Sequence, residues 1–211
     1  FLPRVIAQYD FNPDLMGYAS YSKGVSVGVN TFNTSFLSLS ALGLQYANEL
    51  GISVVQKPER LKNYEVGLKG KFLEGRVVAQ AAAYYAVWDD QLNYRQRIYA
   101  ELPISQGGPG GTGQVVGYAN TGGTDLKGFE VDIAAKVGDR IDLSFAAALN
   151  DSSVKSYATP SVSQVTGVIG DGFKGKQLPQ TSRMSANLGA QYTAPLATWG
   201  DAEWFARGDL S

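Results

Sequence analysis

The sequence predicts an all-β fold, an antiparallel up-and-down meander of about eight long strands. Two observations carry this prediction. First, apolar and polar residues alternate over many segments, as they do in strands whose two faces meet different surroundings. Second, short turns and long loops follow one another along the chain. Glycine (25 residues) and tyrosine (12) are also abundant, and charged residues make up only 18% of the chain.

The alternating segments place the strands in chain order. The clearest ones have their apolar positions within 5–11, 64–72, 129–137, 141–149, 184–192 and 202–210. Two more segments, 15–23 and 77–88, alternate less regularly, but their Tyr, Val and Trp content favours strands. Several segments reach the roughly 9–11 residues that a tilted strand needs to cross a bilayer.

The connections differ in length in a regular way. Short turns are predicted near 12–14, 73–75, 138–140 and 194–200, and long loops near 24–60, 102–114 and 151–180. Consecutive connections of a meander lie at opposite ends of the sheet. Short turns at one end and long loops at the other are typical of bacterial outer-membrane barrels. We therefore expect a portion of a larger transmembrane β-barrel.

The two faces of the predicted strands carry different residues. Aromatic residues of the apolar face gather near the short-turn end, at Tyr9, Phe11, Phe72, Tyr192 and Trp204. Rings of this kind prefer the interface between membrane and water. The charged residues of the opposite face would line a wet lumen. A soluble β-sandwich is the alternative, in which the aromatic residues form a core and the charged face meets water.

Composition excludes several classes of function. The chain has no Cys and no His, which removes disulfides, thiolate metal sites and triads that use imidazole. A net charge of −1 gives no long-range attraction for nucleic acid. We expect no catalytic residue, no metal and no cofactor. The chain begins without Met and ends within an alternating stretch, so we expect it to be a segment of a longer protein.

Adjacent and near-adjacent acidic residues have simple interpretations. Asp10, Asn12 and Asp14 imitate the opening of a calcium loop, but the glycine and glutamate of that loop are missing, so turn chemistry is expected. Asp89 and Asp90 are neighbours in a predicted strand, where consecutive side chains point to opposite faces. We expect a solvated strand end there and no carboxylate pair.

Four motifs in order resemble the TonB-dependent outer-membrane receptors. Lys57-Pro58-Glu59 followed by Tyr64-Glu65-Val66-Gly67-Leu68-Lys69 is similar to a signature in which a loop descends into a long barrel strand. Residues 18–24 resemble the strand that precedes this signature in the family. Two later strands of the family resemble residues 120–123 with 127–131, and residues 178–179 with 184–192. The resemblance covers nearly the whole chain. It places the chain in the middle-to-late part of the barrel, without the plug.

The resemblance implies a function in uptake. Members of this family form barrels of about 22 strands, closed by an N-terminal plug. They take up scarce ligands such as ferric siderophores, cobalamin, carbohydrates or aromatic compounds, with energy from the TonB complex. The implied location is the outer membrane of a Gram-negative bacterium. The implied partners are outer-membrane lipid, a small-molecule ligand and, through a plug absent from this chain, TonB. A passive porin-type barrel and a soluble carbohydrate-binding sandwich are the alternatives.

Ligand capture in such a receptor should lie in the long loops and the upper lumen. Aromatic side chains can stack on sugar or phenolic rings, and arginine can pair with anionic groups. The candidate ligand-binding residues are Phe32, Phe36, Tyr46, Tyr94, Arg95, Arg97, Tyr99, Tyr118 and Tyr157.

Overall fold

A single antiparallel sheet accounts for all the strands of the computed structural model, which describes residues 2–27, 38–157, 174–179, 181–196 and 202–211. Each strand pairs with its neighbours in sequence, in the order β1 to β8. The strands are β1 (Arg4–Asn12), β2 (Leu15–Ser26), β3 (Glu59–Phe72), β4 (Val77–Ala100), β5 (Thr112–Val137), β6 (Ile141–Tyr157), β7 (Met184–Pro195) and β8 (Glu203–Leu210). The predicted eight-stranded meander is confirmed, and the described strands do not form the two facing sheets of a sandwich.

Short turns join the strands at one end of the sheet. The turn between β1 and β2 is held by Asn12, whose side-chain oxygen accepts a hydrogen bond from the Asp14 backbone N–H at 2.9 Å. Between β3 and β4 the backbone is left-handed at Leu73, Glu74 and Gly75, with φ of 55°, 58° and 83°. This conformation is uncommon for residues other than glycine, and here a tight reversal requires it.

At the other end, regular structure extends further than alternation indicates. β2 continues to Ser26, β5 begins at Thr112 and β6 continues to Tyr157, inside segments predicted as loops. Helix α1 (Ala41–Glu49) lies in the predicted loop 24–60, and a single 3₁₀ turn, Ile104–Gln106, lies between β4 and β5. Among the described residues, no helix is both long and apolar enough to cross a bilayer.

Bulges separate the lower and upper parts of β4 and β5. The register of this pair shifts between Trp88 and Gln91, and again between Gln91 and Leu92. Asp90 has a φ of 58° at the first shift. Bulges interrupt the alternation of apolar and polar residues, which is why the sequence pattern alone does not reveal strands of 24 and 26 residues.

The prediction that Asp89 and Asp90 end a strand and point to opposite faces is wrong because of this bulge. Both carboxylates reach cations on one face of β3: Asp89 lies 3.1 Å from the Lys62 Nζ, and Asp90 lies 3.7 Å from an Arg60 guanidinium nitrogen. Arg60 and Lys62 are two residues apart in a regular strand and so point the same way. The extra residue in β4 cancels the usual alternation of neighbouring side chains.

One face of the sheet is apolar and exposed. Val66, Leu68 and Leu149 keep 56%, 50% and 53% of their surface accessible, although they lie in the middle of their strands. A row of directly paired residues bounds this apolar face on the side away from the short turns: Tyr21, Tyr64, Tyr85, Lys127 and Asp151. Apolar strand centres with an aromatic and charged boundary are expected of a barrel wall in contact with lipid.

The opposite face is polar, and on it tyrosine rings pack over glycines of the neighbouring strand. Tyr18 lies across its cross-strand partner Gly67, where a Cβ atom would come 2.4 Å from the ring, and Tyr84 lies across Gly128 in the same way. The Tyr18 hydroxyl donates to Glu65 at 2.6 Å and the Tyr84 hydroxyl donates to Asn150 at 2.7 Å. Each ring covers a glycine that would otherwise leave a gap in the sheet.

Two neighbouring alanines test the assignment of the faces. Ala81 belongs to the apolar face and Ala82 to the polar face, because they pair with Leu68 and Gly67. We expect Ala81→Arg to lower the free energy of unfolding in micelles by about 2–4 kcal/mol, since the charge enters the apolar band. Ala82→Arg should change it by less than about 1 kcal/mol, because its side chain meets Glu130 and water. Urea titration of the full-length receptor folded in micelles measures both, and equal losses would contradict the assignment.

Candidate functional site

Helix α1 packs on the part of β4 and β5 that lies beyond the bulges. We call this part, residues 91–100 and 112–122, the extended hairpin. A buried apolar cluster joins the helix to it, formed by Ala47, Ile52, Tyr99, Val115 and Ala119, each no more than 6% exposed. Leu39, Leu42, Tyr46 and Leu50 surround this cluster. Burial of this apolar surface holds the helix in place.

Both ends of α1 are capped by local sequence. Ser40 is the N-cap, and its hydroxyl oxygen accepts a hydrogen bond from the Gly43 backbone N–H at 3.0 Å. At the other end Gly51 is left-handed, with a φ of 67°. The Gly51 and Ile52 N–H groups donate to the carbonyls of Asn48 and Ala47 at 3.0 and 2.9 Å. This is a Schellman motif, and its apolar contact is the packing of Ile52 in the cluster.

Glu101 ties the start of the helix to the hairpin. Its carboxylate accepts hydrogen bonds from the Ser40 hydroxyl at 2.8 Å and the Tyr99 hydroxyl at 3.0 Å. Burial raises the pKa of the Tyr99 hydroxyl, and the bond to Glu101 raises this pKa further, against an opposing effect of Ser40. Tyr99 therefore stays a neutral hydrogen-bond donor at physiological pH.

Gly43 allows the helix to approach the hairpin closely. A Cβ atom at this position would lie 2.3 Å from the Tyr99 hydroxyl oxygen and 3.1 Å from the Leu39 side chain. Glycine within a helix costs about 1 kcal/mol relative to alanine. The close packing of Tyr99 against the helix backbone explains why glycine occupies this position.

Arg97 is stacked and paired on the surface of this unit. Its guanidinium carbon lies 3.7 Å from the centre of the Tyr46 ring, and a guanidinium nitrogen lies 2.9 Å from a Glu49 oxygen. The Tyr46 ring in turn meets the Tyr99 ring edge-on, with centroids 4.9 Å apart. The Arg97 side chain remains 34% exposed. Its charge is therefore held in a fixed position and is open to solvent.

The helix lies on the polar face of the sheet. Thr124, on that face, donates to the Gln91 side chain at 2.8 Å. Above it, Asn93 donates to the Thr121 hydroxyl at 3.4 Å, and Thr121 lies against Gly51 at the end of the helix. The polar face thus continues from the middle of the sheet to α1.

Asn120 joins two motifs that are far apart in sequence. Its side chain accepts a hydrogen bond from the Lys57 N–H at 2.7 Å and donates to the carbonyls of Lys57 and Asp90 at 2.8 Å. Glu59, two residues beyond Lys57, accepts from the Leu92 N–H at 2.6 Å. Sequence reasoning singled out both motifs but did not predict that they meet. The sequence signal for this contact is the presence of polar residues that interrupt otherwise alternating stretches.

The structure brings together three of the nine predicted ligand-binding residues, Tyr46, Arg97 and Tyr99, of which Tyr99 is buried at 6% exposure. Arg95 is on the same face of β4 but only 4% exposed. Tyr94 and Tyr118 lie on the opposite face of the hairpin, with ring centroids 5.7 Å apart. Tyr157 ends β6 and its side chain lies outside the described residues, as do Phe32 and Phe36.

The chemistry available at this unit is that of binding. Its accessible groups are the Arg97 guanidinium and the half-buried Tyr46 ring, because the Ser40 and Tyr99 hydroxyls already donate to Glu101. Among the described residues, no group of three or more His, Cys, Asp or Glu side chains is placed to hold a metal ion.

Comparison with known proteins decides the family. The family model described as TonB dependent receptor-like, beta-barrel, matches residues 1–211. The chain belongs to this family. The predicted resemblance to TonB-dependent receptors is confirmed, and the chain forms part of an outer-membrane β-barrel. Its apolar face is the lipid-facing surface and its polar face lines the lumen.

Individual receptors are similar in sequence and in fold. The ferripyoverdine receptor of Pseudomonas aeruginosa is 26% identical over 138 residues, which are 65% of this chain and 14% of that protein. Its crystal structure with ferripyoverdine has a TM-score of 0.54 at 16% identity, covering 90% of this chain and 20% of that chain. The ferric-catecholate import receptor Fiu of E. coli has a TM-score of 0.55 at 16% identity, covering 98% and 27%.

This TonB-dependent receptor chain spans only a minor part of the length of these relatives. It covers between 14% and 27% of the lengths of the proteins just described. The short-turn end of the sheet is the periplasmic end, and α1 lies at the extracellular end.

Gly43→Ala tests the close packing of α1. In an unconstrained helix this change stabilises by about 1 kcal/mol. Here we expect a loss of about 1–3 kcal/mol in local stability, because the new methyl group overlaps the Tyr99 hydroxyl. Hydrogen exchange at the amides of Leu50, Gly51 and Ile52 reports the loss. The Gly43→Ala change in a Tyr99→Phe background is the control and should regain protection. Increased protection in Gly43→Ala alone would show that the contact does not constrain the helix.

Proposed function

We propose that this chain belongs to a receptor that takes up a ferric siderophore through the outer membrane, with the α1–hairpin unit as part of its extracellular ligand-binding surface. The observation that carries the proposal is the placement of the exposed Arg97 guanidinium on the Tyr46 ring, which the buried Tyr99 ring supports, at the open end of the lumen face. A siderophore complex combines an anionic chelate with aromatic or amide groups. A fixed guanidinium beside aromatic rings suits this combination.

Arg97 is available to such a ligand. Its ion pair with Glu49 is at the surface, where pairs of this kind contribute about 0–1 kcal/mol. A carboxylate, catecholate or hydroxamate oxygen can therefore take the place of Glu49 at little cost. The Tyr46 ring keeps the guanidinium in position during this exchange.

The related receptors favour iron complexes over the other ligands that the sequence left open. Ferripyoverdine and ferric catecholates are the ligands named for the similar receptors described above. We infer that this receptor also transports its ligand without changing covalent bonds. Energy would come from TonB through a plug domain, and a passive porin would need neither.

Arg97→Ala tests the binding surface. In the full-length receptor we expect affinity for a cognate ferric siderophore to fall roughly 10- to 100-fold, the usual range for a lost charge-assisted hydrogen bond. Ferripyoverdine and a ferric catecholate are the first probes, measured by fluorescence quenching and by uptake of radioactive iron into iron-starved cells. Removal of TonB should abolish uptake and leave binding intact.

The matched control is Gln96→Ala, one residue away on the opposite face of the hairpin. It should bind and transport as the unaltered receptor does. Equal affinity of Arg97→Ala and the unaltered receptor would show that the α1–hairpin unit is not part of the ligand-binding site. Uptake that persists without TonB would instead support a passive barrel.

A further inference from the structure

We propose that the lipid-facing surface of β2, β3 and β4 binds a phosphorylated lipid of the outer leaflet, with phosphate on Lys23, Arg60 and Lys62 and an acyl chain in a groove below them. The proposal concerns the outside of the barrel and does not depend on the siderophore site. It rests on three features of this surface: its cations, its groove and the aromatic row between them.

The cations lie together at the extracellular boundary of the apolar face. Lys23 pairs directly with Lys62 across β2 and β3, and Val25 pairs with Arg60. All three basic side chains therefore project from one face within two neighbouring strands. Like charges placed directly opposite each other destabilise a sheet. An anion that bridges them would relieve this repulsion.

Neighbouring carboxylates neutralise only part of this charge. Asp89 pairs with Lys62 and Asp90 pairs with Arg60. Lys23 forms no ion pair with any residue in the parts of the chain that the structure describes. Three cations against two carboxylates leave one net positive charge at the membrane boundary. The rest of this boundary differs, since Lys127 and Lys155 are paired with Asp151 and Asp125.

A groove of about 530 Å³ lies in the apolar face below these cations. Small residues form its floor, among them Gly17, Ala19, Ala81 and Ala83. Larger apolar side chains form its walls: Tyr9, Phe11, Val66, Leu68 and Phe129. A shallow, open groove within a bulky apolar surface accommodates a hydrocarbon chain along its length, and burial of the methylene groups supplies affinity.

The aromatic row fixes the depth at which a lipid would sit. Tyr21, Tyr64 and Tyr85 lie between the groove and the cations, and the Tyr21 and Tyr64 rings are 5.1 Å apart. Tyrosine prefers the level where acyl chains meet headgroups. A lipid whose chain fills the groove would therefore have its phosphate at the level of Lys23, Arg60 and Lys62. Basic residues at this level attract anionic headgroups.

The test is a titration of lipid into the full-length receptor in detergent, with lipid A as the probe. Lys23→Gln should weaken binding about 5-fold, the effect of one lysine at an anionic surface. Ala81→Leu fills the groove and should weaken binding on the order of 10-fold. The matched controls are Lys127→Gln, at the same boundary, and Ala147→Leu, in the same cross-strand row as Ala81 but outside the groove. Both should leave binding unchanged.

Two further probes separate the sources of affinity. Dephosphorylated lipid A should bind at least 10-fold more weakly, and free pyrophosphate should not compete at equal concentration. Losses in the control variants as large as those in Lys23→Gln and Ala81→Leu would overturn the proposal, as would equal binding of dephosphorylated lipid or effective competition by pyrophosphate. Retained ferric siderophore binding and a retained shift on boiling in gels show that each variant is folded.

Discussion

The structure depends on one constraint: a single-layered sheet has no second layer against which to bury either face. β2 to β7 each satisfy their backbone polar groups through two neighbouring strands, which is what a bilayer demands of any chain that crosses it. The side chains must then suit lipid on one face and water on the other. The exposed Val66 and Leu68 beside the hydrogen-bonded Tyr18 and Glu65 show this division within two strands.

The bulges at the top of β4 and β5 mark where this constraint ends. Below them the chain follows the strict alternation of a membrane wall. Above them the same two strands form the extended hairpin, which no longer faces lipid on one side and can carry a packed helix on the other. The bulge also turns Asp89 and Asp90 towards the cations of β3, which joins the boundary of the membrane to the base of the hairpin.

Close packing of tyrosine against glycine recurs at each level of the polar face. Tyr18 on Gly67 and Tyr84 on Gly128 fill the wall, and Tyr99 lies against both Gly113 and Gly43 where the helix docks. In each case the hydroxyl finds an acceptor or donor, so the ring stays fixed. The same packing of tyrosine against glycine that strengthens the sheet therefore also positions Tyr46 and Arg97 at the open end of the lumen.

The sequence by itself determined the strand order, the two faces and the family, because alternation, turn residues and the four motifs are local properties of the chain. It also identified Tyr46, Arg97 and Tyr99 as candidates. Only the tertiary structure decided that these three meet and that Tyr94 and Tyr118 face the other way, because bulges shift the phase of a strand without a clear sequence signal. The contact of Asn120 with Lys57 and the docking of α1 through Gly43 likewise depend on residues far apart in the chain. The alternation of residue types is a local pattern and does not predict such contacts.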